Sequence, residues 1–393
     1  MPGSVILTGA RTPIGKLSGA FASMAATDLG GVAIKGALDK AGISGEDVDY
    51  VIMGQVIQAG AGQITARQAA NNAGIPMNVP ATTINKVCLS GLNAIYLADL
   101  MIQAGDADIV VAGGMESMTN APYLMPGARA GYRAGDKTVV DSMMYDGLFC
   151  AFDQVAMGAG TEKYAASAGL ERGPQDEFSA VSHQRAADAI KNGLFDDEIV
   201  PVSVPQRKGD PVVVTTDEGV RGDTTAESLG GLRPAFDKAG NITAGNASQI
   251  SDGASATIVV SAAKAAELGI TGLGEVVGYG QVAGPDPSLL TQPSRAILNA
   301  LEGASISQSD LGLYELNEAF AAVGLASMDQ LGITPDVTNV NGGAIALGHP
   351  VGMSGNRLAI TLLQEMKRRG VEHGAAALCG GGGQGDALLV RAL

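Results

Sequence analysis

Three residues of this 393-residue chain have a type and a setting that suit covalent or proton-transfer chemistry: Cys88, His349 and Cys379. Cys88 stands in the turn Asn85-Lys86-Val87-Cys88-Leu89-Ser90-Gly91, between the β-branched run 79–84 and an apolar stretch, 92–103, with no Gly or Pro before Gly105. That pattern predicts a strand running into a helix. A cysteine at a helix N-terminus meets unpaired N–H groups and the positive end of the dipole, which favour the nucleophilic thiolate. The same turn would also suit a small buried apolar residue, since free cysteines are commonly buried. His349 is held between Gly348 and Pro350, and Cys379 precedes four glycines and Gln384-Gly385. Asn317, in Asn317-Glu318-Ala319-Phe320, is a further polar island in apolar surroundings. His183 and His373 read instead as surface residues, beside Gln184-Arg185 and between Glu372 and Gly374, and Cys150 reads as structural.

Groups so far apart in sequence need a scaffold to bring them together. Strands over 4–10, 48–56 and 107–114 alternate with helices over 28–40, 66–73 and 92–103, which predicts an α/β unit. The 92–103 helix leaves only Asn93, Asp99 and Gln103 polar, so it is expected to be buried on all sides, between two sheets. From about 118 to 250 the rhythm breaks, with Pro122, Pro126 and two amphipathic helices over 153–168 and 174–192, the second opening at Pro174 and ending at Gly193. Extended segments at 198–204 and 212–216 flank a polar loop. This region reads as an irregular insertion covering the core, the kind of loop that often carries a ligand site. Alternation then resumes with strands over 256–260 and 274–282 and a helix over 262–268. The segment 310–320 repeats the position of 47–56, and Met353-Ser354-Gly355-Asn356 opens a helix much as Cys88-Leu89-Ser90-Gly91 does. Two copies of one α/β unit are expected, placing Cys88 opposite groups from the second copy. The division is 1–118 plus 250–271, an insertion at 119–249, and 272–393.

Composition narrows the function classes. A formal charge of −15, with no basic block longer than Lys367-Arg368-Arg369, argues against nucleic acid and anionic membranes as partners. An anionic substrate would need local positive potential, for example at Arg207-Lys208 or Arg221. Three cysteines without a C-x-x-C pair form neither a disulfide framework nor a zinc site, which fits a reducing cytoplasm and no metal. The start Met1-Pro2-Gly3-Ser4-Val5 lacks a basic leader, no apolar run reaches 18 residues, and Arg391-Ala392-Leu393 is not a peroxisomal address. No G-x-G-x-x-G opens a helix after the first strand, which argues against a dinucleotide cofactor.

Five motifs together resemble the bacterial type of the thiolase family, in the family's order and over nearly the whole chain: Arg11-Thr12-Pro13-Ile14-Gly15, the Cys88 turn, Asn317-Glu318-Ala319-Phe320, the run from Asn341-Gly342-Gly343 to Gly348-His349-Pro350, and Cys379 to Gly385. The resemblance implies duplicated α/β halves in a five-layer αβαβα arrangement, with an irregular α+β loop domain inserted. It implies acyl transfer to and from CoA with reversible carbon–carbon bond formation, as in acetyl-CoA condensation or 3-oxoacyl-CoA thiolysis. Cys88 would be the acylated nucleophile, His349 its base, and Cys379 the second acid/base. Asn317 would hold a water that acts with His349 on the enolate oxygen, and the N–H groups of Cys88 and Gly381 would form an oxyanion hole. Ser248, Arg221, Ser228, Phe236, Met157, Leu148, Ala244 and Phe320 are the implied CoA contacts. CoA and acyl-CoA would be substrates rather than tightly bound cofactors, in a cytoplasmic homo-oligomer, a dimer of dimers, serving fatty acid metabolism; residues 123–136 could supply the second contact. One departure is Ala156, where acetoacetyl-CoA thiolases commonly carry His before the pocket methionine. A ketoacyl synthase is the related alternative, but it would be expected to pair its cysteine with two histidines. A non-catalytic acyl-CoA carrier would not require the set Cys88, Asn317, His349 and Cys379.

Overall fold

The computed structural model describes residues 3–393; Met1 and Pro2, the first residues of the start read above for a leader, lie outside the described residues. The first half runs β1 (Val5–Arg11), α1 (Ala26–Ala41), β2 (Tyr50–Gly54), α2 (Thr65–Asn72), β3 (Ala81–Ile84), α3 (Ser90–Ala104) and β4 (Ile109–Ser117). Helices α1 and α3 stop where expected, at Gly42 and Gly105, each with positive φ and its N–H returned to a carbonyl of the last turn. The insertion holds α4 (Met157–Ser167) and α5 (Arg172–Lys191), after which β5 (Ser251–Val260) returns to the first sheet. The second half comprises β6 (Gly274–Ala283), α6 (Gln292–Gly303), β7 (Leu311–Leu316), α7 (Ala321–Leu331), α8 (Ser354–Arg369), β8 (His373–Gly380) and β9 (Gln384–Ala392).

The strands follow one path, β7-β8-β9-β6-β1-β5-β4-β2-β3. Each half uses the same pairing logic. In the first, β1–β5 and β5–β4 are antiparallel while β4–β2 and β2–β3 are parallel. In the second, β6–β9 and β9–β8 are antiparallel and β8–β7 parallel, with Thr338 bridging Tyr314 in the place that β3 occupies in the first. The halves meet at a two-residue antiparallel contact of Val5 and Ile6 with Glu275 and Gly274. This is the expected duplication, seen in strand order.

Three apolar cores separate five layers. One lies between α1, α2 and the outer face of the first sheet, through Leu29, Ile34, Val51 and Val111. A second lies between α6, α7 and the second sheet, through Ile297, Tyr314, Met328 and Leu389. The third is central, where Leu92, Ile95, Leu358 and Leu362 from α3 and α8 meet Val110 and Val259 of one sheet and Leu378 and Leu388 of the other. Fully burying such a side chain is worth about 1.5–3 kcal/mol, so the central layer is a major stabilising element as well as the frame of the site. The two middle helices cross at glycines. A Cβ on Gly355 would sit 2.5 Å from the Leu92 nitrogen, and one on Gly91 would sit 2.8 Å from the Asn356 nitrogen.

Several local expectations are corrected. Helix α5 begins at Arg172, two residues before Pro174, and its inner face is polar: Gln175, Asp176, Ser179 and Ser182 are buried. His183 is on that face and only 1 % exposed, not on the surface; its Nδ1 accepts the Arg221 N–H at 3.2 Å. A polar side chain next to Gln and Arg resembles a surface position until a second segment is seen to cover it. His373 is half-buried at the start of β8. Helix α3 is not covered on all sides: Leu97 and Met101 are half-buried, and Leu100 is 41 % exposed. Residues 87–104 are long and apolar enough to cross a membrane, but their packing between two sheets accounts for that composition.

The motif at Arg11 fastens the insertion to the core. Its fully buried guanidinium meets Glu198 at 2.6 Å and Asp217 at 2.7 and 2.9 Å, and Asp217 also accepts the Ile14 N–H at 2.8 Å. Such a buried cluster tolerates the loss of one partner poorly.

Candidate active site

The nucleophile turn is tightly pinned. Val87, one residue before Cys88, has φ of 51°, a left-handed conformation that a β-branched residue avoids unless its surroundings impose it. Here they do so. Asn85 Oδ1 accepts the Val87 N–H at 2.9 Å, and Ser90 Oγ accepts the Lys86 N–H at 2.8 Å while donating to the Val87 carbonyl at 2.7 Å. The result turns Cys88 out of the chain path just ahead of α3.

The His349 loop crosses the ends of β2 and β4, where Gly54 and Gly114 have no room for a Cβ against the Gly352 carbonyl. Glu116, fully buried at the end of β4, accepts the N–H groups of Val56, Ile57 and Gly352 at 2.9–3.1 Å, tying that loop to the β2 end. Burial pushes its carboxyl up to about 7 despite those donors. The tautomer of His349 is assigned from its contact with Ser354. With the Ser354 hydroxyl proton assigned to the Pro350 carbonyl at 3.0 Å, Ser354 Oγ accepts at its 2.6 Å contact with His349 Nδ1. That assignment puts the ring proton on Nδ1 and leaves Nε2 as the base, with the Asn317 amide 3.3 Å away.

Asn317 is fully buried at the end of β7. Its segment is knitted to the His349 run by Asn339, which bonds Leu316 and Glu318, and by Glu318, which accepts from Ser182 Oγ and the Ile345 N–H. Cys379 is the penultimate residue of β8, and the glycines after it lie directly on the nucleophile turn: a Cβ on Gly380 would strike Leu89 at 2.6 Å, and one on Gly381 would touch Val87 at 3.3 Å. Only a chain without side chains can lie this close.

Cys88, His349, Cys379 and Gly381 all line one apolar cavity of about 250 Å³. Of the expected CoA contacts, Ser248, Phe236, Met157, Leu148 and Phe320 line it as well, as does Ala156. Arg221, Ser228 and Ala244 do not; all three are exposed, and the Ser228 side chain is engaged with Thr225 in a helix cap. Sequence reasoning missed the methionines Met118 and Met144 and the aliphatic walls Ile250, Leu289 and Val351. Nothing local marks these as pocket rather than core. It also missed Ser354, for which a signal existed: Ser354 occupies the place in the second copy that Ser90 holds in the first, and both hydroxyls clamp the turn before their helix.

The electrostatics correct one expectation. Burial pushes the Cys88 thiol up to about 12, more than the N–H groups of Cys88 and Gly381 at its sulfur bring it down. Burial likewise holds Cys379 above the ordinary thiol range, with Cys88 as the next cause. His349 is lowered to about 3 by burial and then by the Arg357 charge, so its imidazole is neutral. The resting arrangement is two thiols held above their ordinary range and a neutral imidazole around one apolar cavity. Such a set can pass a proton from sulfur to nitrogen as the sulfur attacks a carbonyl, with the N–H at Gly381 placed for the developing oxyanion. Among the described residues no cluster of His, Cys, Asp and Glu is arranged to hold a metal ion.

Comparison with known proteins finds relatives over the whole chain. Residues 4–263 match the thiolase N-terminal domain and residues 270–392 the thiolase C-terminal domain. A probable acetyl-CoA acetyltransferase of Mycobacterium tuberculosis is 56 % identical over 392 residues, covering 100 % of both chains. The acetyl-CoA acetyltransferase of Cupriavidus necator is 53 % identical over 388 residues, 98 % of each. The crystal structure of the Bacillus anthracis acetyl-CoA acetyltransferase superposes with a TM-score of 0.97 at 40 % identity, covering 100 % of this chain and 99 % of that one.

Proposed function

The chain belongs to the thiolase family and is an acetyl-CoA acyltransferase acting on CoA and acyl-CoA; from that premise we propose that it works through an acyl-cysteine on Cys88. The observation that carries this reading is the convergence of Cys88, His349 and Cys379, from both halves of the fold, on one apolar cavity with the Gly381 N–H at the Cys88 sulfur.

In the first half-reaction the Cys88 sulfur bonds to the thioester carbon while its proton passes to His349 Nε2. The C–S bond to CoA breaks, and the departing thiolate takes its proton from Cys379. Cys379 is left as the base that removes the α-proton of a second acetyl-CoA. The resulting carbanion attacks the acyl carbon, and Cys88 leaves, recovering its proton from His349. Thiolysis is the reverse sequence. The N–H groups of Cys88 and Gly381 face the tetrahedral oxyanion, and each such donor is worth about 10²–10³ in rate. Asn317, whose Oδ1 has no hydrogen-bond partner among the described residues, holds a water that acts with His349 on the enolate oxygen.

Ser248, Phe236, Met157, Leu148 and Phe320 are the cavity-side CoA contacts, while Arg221, Ser228 and Ala244 would belong to a part of the CoA path outside it. No resident cofactor is needed, since each step is a proton or acyl transfer between side chains and CoA. We take the chain to divide at 1–118 plus 250–271, 119–249 and 272–393, a reading supported by the return of β5 to the first sheet. We further infer a cytoplasmic homo-oligomer, with a role in fatty acid metabolism. The open edge of β3 and the half-exposed Leu97, Leu100 and Met101 of α3 support one self-association face. Exposed Tyr123 and Met125 support a second.

Incubation with acetyl-CoA at neutral pH, followed by peptide mass spectrometry, should find an acetyl group on Cys88. Its absence would overturn the mechanism. Initial rates with 3-oxoacyl-CoAs of increasing length would define the acyl preference that Ala156 leaves open.

A further inference from the structure

A half-buried polar cluster around one buried carboxylate beside the site takes no part in the chemistry above. Lys86 Nζ lies 2.8 Å from each carboxylate oxygen of Asp386. The Tyr279 hydroxyl donates to the same carboxylate at 2.6 Å and receives the Asn93 amide at 3.4 Å, and the Tyr279 ring stacks on Tyr96 with centroids 4.1 Å apart. Asp386 is 1 % exposed, so Lys86 is the cation compensating a carboxylate that water does not reach.

The placement of the two partners is informative. Lys86 is two residues before Cys88, in the turn whose Val87 is in the left-handed region. Asp386 is on β9, opposite Leu378 and one position from the Cys379–Gly385 pair. The ion pair therefore spans the boundary between the two halves, from the backbone of one cysteine to the strand beside the other. Both loops are packed to their limit there, Gly380 on Leu89 and Gly381 on Val87, so a shift of the turn alters the cysteine-to-cysteine geometry directly. Strained positions persist only where their surroundings over-determine them. The hydrogen bonds of Asn85 and Ser90 define the shape of the turn; the Lys86–Asp386 bridge defines where that shape sits against the second half.

We propose that Lys86 and Asp386 are positioning residues that set the Cys88 turn against the Cys379 strand, governing the step that needs both sulfurs rather than acylation of Cys88 alone. The proposal rests on the roles given above to Cys88 and Cys379. Acylation draws on Cys88, His349 and the oxyanion donors, and its one demand on Cys379, a proton for the departing CoA thiolate, can be met by solvent. Carbon–carbon bond formation requires the carbanion generated at Cys379 to reach the acyl group on Cys88, and misplacement by about 1 Å can cost on the order of 100-fold.

The test uses the full-length protein and the variants Lys86→Met, Asp386→Asn and Lys86→Arg. Two rates are measured for each: acetylation of Cys88 by acetyl-CoA in a single turnover, and steady-state acetoacetyl-CoA formation at saturating acetyl-CoA. Lys86→Met and Asp386→Asn should each lower turnover by about 10- to 100-fold while acetylation stays within about threefold. The double variant should be little worse than either single, since the pair acts as a unit. Lys86→Arg should retain most turnover. Asp386→Asn keeps the side-chain shape and an acceptor for Tyr279, so it decides the matter if Lys86→Met does not fold. Equal loss of acetylation and turnover, no loss of either, or failure of Lys86→Arg to preserve turnover would each overturn the proposal. Failure of the unaltered protein to acetylate Cys88 would instead overturn the mechanism on which it rests.

Discussion

Replacing Ser354 by alanine removes the one group that holds the His349 tautomer. Its hydroxyl accepts from Nδ1 at 2.6 Å, and its own proton is committed to Pro350 at 3.0 Å. In Ser354→Ala the Nδ1–H is left without a partner in a ring that is 6 % exposed. An unsatisfied buried donor costs about 1–3 kcal/mol. If the imidazole keeps its tautomer, that cost is borne before reaction and the ring orientation loosens; if it moves the proton to Nε2, the base that takes the Cys88 proton is lost. The same energy range corresponds to about 5- to 150-fold in rate. The fold should persist, because alanine is a good residue for the first turn of α8. Single-turnover acetylation of Cys88 by acetyl-CoA, followed by mass spectrometry, isolates the step, and a melting curve checks the fold. Acetylation at the unaltered rate in a folded Ser354→Ala protein would refute the assignment of Nε2 as the free base.

Cys379→Ser should still acetylate Cys88, because CoA leaves readily as a thiolate that solvent can protonate, but should lose nearly all condensation; loss of both would show that the labour is not divided this way. Gly355→Ala should destabilise the protein by about 1–3 kcal/mol or more by forcing α3 and α8 apart, read as a lower urea midpoint, and an unchanged midpoint would contradict the close crossing. His349 is neutral down to about 3, so the rate of Cys88 acetylation should show no break near pH 6.5 that depends on it. For His183, held by burial at about 4, the unfolded chain binds the extra proton between 6.5 and 4; its contribution to stability is present above pH 6.5 and lost as pH falls through that window. Glu116 and Glu315, pushed up to about 7 and 8, act in the opposite sense, contributing below about 4.5 and losing that contribution as pH rises. The comparison must therefore be between proteins: His183→Gln should destabilise more at pH 7 than at pH 5, and an equal effect at both would refute the assignment.

Much of the molecule was legible because its signals are local. Cys88 ahead of an apolar helix, the glycine stops at Gly42 and Gly105, and the repeated order of elements all follow from short-range sterics and hydrophobic spacing, and they correspond to α1, α3 and two matching sheets. The ordered motifs placed Cys88, His349, Asn317 and Cys379 on one list before any contact was known. The errors have one physical origin. His183 and α5 looked superficial because their polar residues meet their partners, Arg221, Asn246 and Glu318, only through tertiary contact. The expectation for α3 erred the other way, since an apolar composition does not reveal that one face stays uncovered in the single chain.

By itself the sequence determined which residues could react and in what order the elements run, because residue type and spacing are properties of the chain. Tertiary structure alone decided how those residues behave. Cys88 was expected to be a thiolate from its place at a helix start, yet desolvation raises the thiol more than the nearby N–H groups lower it. His349 owes its ring orientation to Ser354, and the two cysteines owe their proximity to glycines that let loops from opposite halves touch. Burial and proton ownership depend on what the other half of the chain brings within a few ångströms, which no local spacing encodes.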